Sequence, residues 1–106
     1  MKRPFDNFLS EYRDRIDALD EEIIALLEKR VGIIREVAYV KAEHDIPSVI
    51  QIRVDEVRER AAAMAATKDI DPDVIREIYA RLIRYSCDLE DEIKAEVAKD
   101  KISKAS

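Results

Sequence analysis

Apolar residues recur every three or four positions along the first third of the chain. The series runs Leu9, Tyr12, Ile16, Leu19, Ile23, Leu26, Ile33, Val37 and Val40, with Arg30 in the slot between Leu26 and Ile33. That alternation is the seam of a coiled-coil helix with one violation. It stops at His44-Asp45-Ile46-Pro47-Ser48, where the proline biases its neighbour away from helix. A second stripe, Ile50, Val54, Val57, Ala61 and Met64, stops at Thr67-Lys68-Asp69-Ile70-Asp71-Pro72. A third follows: Tyr79, Ile83, Ser86, Glu90, Ile93 and Val97, with Ser86 and Glu90 in successive core slots. The spacing predicts helices near 6–43, 48–66 and 72–99, and a polar tail, 100–106, that frays. Ser48 and Gln51 have capping-box spacing. Asp71 suits an N-cap, Pro72 the first helical position, and Asp73 the helix dipole. The expectation is one all-α domain over 1–106, with its core about 9–95, three helices and no internal repeat.

The first helix is long for the chain. At ~1.5 Å per residue it spans roughly 50 Å, against a radius of gyration of about 13 Å for a compact domain of this size. It is therefore expected to protrude and to need a partner surface. A second copy of the same chain is the expected partner, because two-fold dimers are the commonest oligomers.

Composition narrows the class. With 106 residues, one Gly, three Pro and 41% charged residues, the chain is neither collagen-like nor disordered, and an all-β fold lacks its turn residues. A net charge of −5 disfavours nucleic acid as the main partner but leaves room for a small anion in a local basic pocket. No apolar run approaches the ~20 residues of a membrane span, and Met1-Lys2-Arg3-Pro4 does not open a signal peptide. One Cys and one His exclude an internal disulfide and ordinary zinc sites. A lone Cys fits a reducing compartment, so a cytoplasmic location is expected.

Charges in core slots are costly unless paired or used. Arg30 and Lys41 lie nearly on one face, about three turns apart, and could bracket an anion-binding pocket ~16 Å long. Arg13 lies roughly 25 Å before Arg30 along the axis and reaches the same ligand only from a partner chain. Arg53 sits at the edge of the second stripe. A buried Arg30–Glu90 ion pair that sets helix register explains the same violations, and periodicity does not separate the two readings. Taken singly, Arg13, Lys41 and Arg53 read as solvated, Ser86 as a small packing residue, and Cys87 as an inert thiol near the core.

Taken together, these residues resemble the all-helical chorismate mutases. The resemblance rests on Tyr12-Arg13-Asp14-Arg15-Ile16-Asp17-Ala18-Leu19-Asp20, on Ile24-Ala25-Leu26-Leu27-Glu28-Lys29-Arg30, and on Val37 to Lys41. It continues with Pro47, Arg53, Asp71-Pro72, Ser86 and Glu90, and covers roughly 9–95. It implies an intertwined homodimer of three-helix chains that rearranges chorismate to prephenate without metal or cofactor. Carried over, Arg13 arrives from the other subunit and Arg30 from the same one. With Arg53 and Ser86 they hold the dicarboxylate, while Lys41 and Glu90 flank the ether oxygen.

Two departures bear on the substrate. The family's usual amide near the ether oxygen is Glu90 here. A carboxylate would repel the growing charge, so Glu90 is expected to work as the protonated acid; burial favours that form and Lys41 opposes it. Ordinary members carry acidic groups, which hold the ring hydroxyl, where this chain has Ile50 and Val54. Val after the arginine resembles two sibling branches, one acting on 4-amino-4-deoxychorismate and one eliminating pyruvate from isochorismate to give salicylate. Cys87-Asp88-Leu89-Glu90-Asp91-Glu92-Ile93 is more similar to the aminodeoxy branch, where Gln51 or a water would satisfy the ammonium group. The resemblance thus implies an isomerase of chorismate or its 4-amino-4-deoxy analogue, with the lyase as the alternative. A non-catalytic helical dimerisation module is the alternative of another class.

Overall fold

The computed structural model describes residues 3–105, without the side chain of Ala105. Three helices follow one another: α1 (Asp6–Glu43), α2 (Gln51–Ala66) and α3 (Pro72–Ala105). All the secondary structure among the described residues is helical. Among the described residues, no helix is long and apolar enough to cross a membrane. The chain divides into two compact units, Met1–Gly32 and Ile33–Ser106.

The first unit holds the N-terminal part of α1. Asp6 in the first turn favours the positive end of the helix dipole. It accepts hydrogen bonds from the Arg3 backbone N–H (3.0 Å) and from Arg13 Nη1 (3.1 Å). The seam residues Tyr12, Ile16, Leu19, Ile23 and Leu26 are each more than half exposed. The single chain leaves the expected seam bare, because one helix cannot bury its own stripe.

The second unit holds the end of α1 and the packed pair α2 and α3. Ala61, Ala62 and Ala65 form the buried face of α2; their small side chains let α3 approach closely. Val54 and Val57 continue that face half-buried, whereas Met64 and Ile50 are 51% and 40% exposed. The α3 stripe lies as its spacing predicts: Ile83, Ser86, Glu90 and Ile93 are buried, with Tyr79 and Val97 half-buried. Arg76 of α3 bridges to Glu59 of α2 at 3.0 Å, and Arg58 joins the same carboxylate at 3.0 Å. Hydrogen bonds from Arg58 and then Arg76 hold the Glu59 carboxyl below its ordinary range.

Both helix stops use the same device. Asp45 (φ 53°) and Asp69 (φ 57°) adopt the left-handed conformation. The next amides bond back five residues, Ile46 N–H to the Lys41 carbonyl (2.9 Å) and Ile70 N–H to the Ala65 carbonyl (3.0 Å). Asp71 caps α3 as expected, accepting from the Asp73 N–H at 2.9 Å. The expected Ser48 cap is corrected. The N-cap of α2 is Ile50, without a side-chain cap bond, and the Ser48 hydroxyl faces Lys94 instead. The tail also differs: helix continues to Ala105, helped by Lys104 at the negative end of the dipole.

Candidate active site

A buried polar cluster joins the end of α1, the α1–α2 loop and the middle of α3. Lys41 lies in the last turn of α1, where the dipole favours a cation. Its Nζ pairs with Glu90 Oε1 at 2.8 Å and donates to the Ser48 carbonyl at 2.9 Å. The Lys41 and Glu90 side chains are only 14% and 4% exposed. So withdrawn from water, each group depends on the other as its partner.

Ser86 lies one turn before Glu90 on the same face of α3 and is also buried; its Oγ donates to the Leu82 carbonyl at 3.0 Å. Cys87 sits between them, its Sγ 3.7 Å from the Ser48 carbonyl. Burial pushes the Cys87 thiol above its ordinary value, the Glu90 charge adds to this, and Lys41 works against it. Lys94 lies one turn beyond Glu90, with its Nζ on the Ile46 carbonyl (2.8 Å) and the Ser48 Oγ (3.4 Å).

The structure thus gathers Lys41, Ser86 and Glu90 of the expected set. It places Arg53 and Gln51 on the exposed face of α2, bonded to that helix's own carboxylates, Glu56 and Asp55. Val54 beside them is half-buried. Arg13 and Arg30 belong to the first unit: Arg13 bonds Asp6 and the Pro4 carbonyl, and Arg30 is half-buried. Sequence reasoning missed Ser48 and Lys94 as members of the cluster. Lys94 carried a signal, since it follows the inward-facing Glu90 by four residues, the spacing that puts two side chains on one helix face.

A apolar recess of about 220 Å³ lies elsewhere, near the junction of α2 and α3, against Met64, Ala65, Ile70, Ile75 and Tyr79. Its one charged neighbour is Lys68, so it offers little to a dianion.

Comparison with known proteins identifies the family. Residues 12–91 match the family model for chorismate mutase type II. A 4-amino-4-deoxychorismate mutase of Streptomyces pristinaespiralis is 33% identical over 84 residues, which is 79% of this chain and 65% of that protein. Another protein of that name, from Streptomyces venezuelae, is 31% identical over 85 residues, covering 80% of this chain and 82% of the relative. A T-protein of Enterobacter agglomerans is 30% identical over 78 residues, 74% of this chain but only 21% of its own length. With the matched segment reaching from α1 through α2 into α3, the chain belongs to the type II chorismate mutase family.

Proposed function

We propose that this chain is an isomerase that carries out a [3,3] rearrangement on 4-amino-4-deoxychorismate or on chorismate. In that reaction an ether C–O bond breaks while a C–C bond forms within one molecule, so no nucleophile is needed. What the protein must supply is a compact reactive conformer and positive charge or hydrogen-bond donors where the ether oxygen gains electron density.

The observation that carries the reading is the buried Lys41–Glu90 pair at 2.8 Å. An ammonium has three N–H donors. Among the described residues, Ser48 and Glu90 take two of Lys41's, which leaves one to meet a substrate oxygen. Glu90 is the second group at the ether oxygen. Glu90→Gln, which places an amide N–H donor there, is expected to retain the rearrangement, and loss of the rearrangement in that variant refutes the role.

The resemblance to the family supports the rest of the site. Arg30, Arg53 and Ser86 grip the two carboxylates together with Arg13 of a second copy, arginines being suited to bidentate bonds. Gln51 and Val54 face the substituent at ring carbon four. The bare seam of α1 supports a homodimer, because more than half the surface of Tyr12, Ile16, Leu19, Ile23 and Leu26 is left to solvent in one chain. The 4-amino substrate is favoured by the names of the two Streptomyces relatives and by the apolar Ile50 and Val54. The family's own description favours chorismate. The reading places the protein in the cytoplasm, a reducing compartment that suits its lone thiol. The test is incubation with each substrate and separation of products, in which formation of the rearranged acid supports the proposal.

A further inference from the structure

We infer that Lys94 is a positioning residue for Lys41, acting through the backbone of the α1–α2 loop; the inference rests on the mutase reading above. Lys94 Nζ donates to the Ile46 carbonyl at 2.8 Å and reaches the Ser48 Oγ at 3.4 Å. The carbonyl of that same Ser48 accepts from Lys41 Nζ at 2.9 Å and lies 3.7 Å from Cys87 Sγ. One residue of the loop therefore joins two lysines: its hydroxyl answers to α3 and its carbonyl holds the ammonium at the site.

Apart from Lys41 and the Cys87 thiol, little fixes that carbonyl. Ser48 lies between α1 and α2, before the first helical residue Gln51, so no helix ladder orients its peptide group. The Ile46 N–H bond to the Lys41 carbonyl ties the near end of the loop. From Pro47 to Ile50 the chain is irregular. Among the described residues Lys94 pairs with no carboxylate; it spends its ammonium on two neutral loop oxygens. A lysine placed only for stability or solubility would be expected to stay in water or to find an acid. Here a half-buried cation binds the loop to the helix that carries Glu90, one turn away. Both partners of the reacting oxygen, Lys41 and Glu90, are in this way referred to the same helix.

The test uses the full chain with Lys94→Met, Lys94→Arg and Ser48→Ala. Two quantities are read: kcat and KM on the substrate the wild type turns over, and the rate of Lys41 acetylation by trace acetic anhydride, followed by mass spectrometry. Lys94→Met is expected to lower kcat about tenfold or more with KM within about threefold, because a small misplacement harms the reacting geometry more than binding. Lys41 acetylation is expected to rise about fivefold, as the loop opens and the ammonium is released to solvent. Lys94→Arg, which keeps the donors, returns both toward wild type. Ser48→Ala moves both in the same direction by less, and it decides the matter if Lys94→Met does not fold. The inference is overturned if kcat and Lys41 acetylation stay within about twofold of wild type, or if kcat falls while acetylation is unchanged. A wild type that rearranges no substrate refutes the mutase reading alone, since the acetylation arm still judges the link between Lys94 and Lys41.

Discussion

Replacing Lys41 with Met removes one charge of the buried pair while keeping a similar length and volume. At 2.8 Å the gross attraction in the pair is about 6 kcal/mol at an effective dielectric of ~20. Withdrawing each ion from water costs several kcal/mol, so the intact pair contributes little net stability. The broken pair is different. Glu90, 4% exposed in its side chain, keeps its desolvation cost and loses its counter-charge. Lys41→Met is therefore expected to destabilise the fold by about 3–5 kcal/mol at neutral pH. Adding Glu90→Gln to Lys41→Met removes the orphaned charge and restores most of the stability. Urea unfolding, followed by circular dichroism at one fixed protein concentration, measures all three variants. A Lys41→Met cost below about 1 kcal/mol that simply adds to that of Glu90→Gln refutes the buried-pair reasoning.

Three further outcomes are expected. Arg53→Ala, which removes an exposed side chain paired only within α2, should change unfolding free energy by less than about 0.5 kcal/mol yet raise KM markedly; an unchanged KM removes Arg53 from the carboxylate grip. Ile23→Glu places a charge on the bare α1 seam and should shift the chain from dimer to monomer in sedimentation analysis, whereas a wild type that sediments as a monomer refutes the dimer. The Cys87 thiol is held above its ordinary value of 9.0 by burial first and Glu90 second, so the folded chain retains a proton that the unfolded chain has released. Stability should therefore fall as pH rises past 9.0, and Cys87→Ala should flatten that alkaline limb in paired unfolding curves.

The α3 stripe was legible because burial on a helix follows its 3.6-residue period, so Ser86 and Glu90 stood out as polar residues in apolar slots. The α1 seam was legible as a pattern, yet Tyr12, Ile16, Leu19, Ile23 and Leu26 are each more than half exposed in the single chain, and periodicity does not say what covers them. Loop chemistry was the hard part. Ser48 and Gln51 have capping-box spacing, yet Ser48 lies too far before the helix to cap it, and its hydroxyl serves Lys94 across 46 residues. Such a contact leaves no local periodicity to read. The two left-handed aspartates, Asp45 and Asp69, escaped notice for a similar reason: glycine is the usual signal at that position, and aspartate tolerates it without announcing it. The substrate is the least legible feature, since Ile50 and Val54 say only what they do not bind.

The most direct test of the account is to incubate the purified chain separately with 4-amino-4-deoxychorismate, chorismate and isochorismate and to separate the products by chromatography. The account predicts 4-amino-4-deoxyprephenate or prephenate, formed without added metal or cofactor and lost in Lys41→Met. Salicylate from isochorismate as the main product, or no turnover of any of the three, would contradict it.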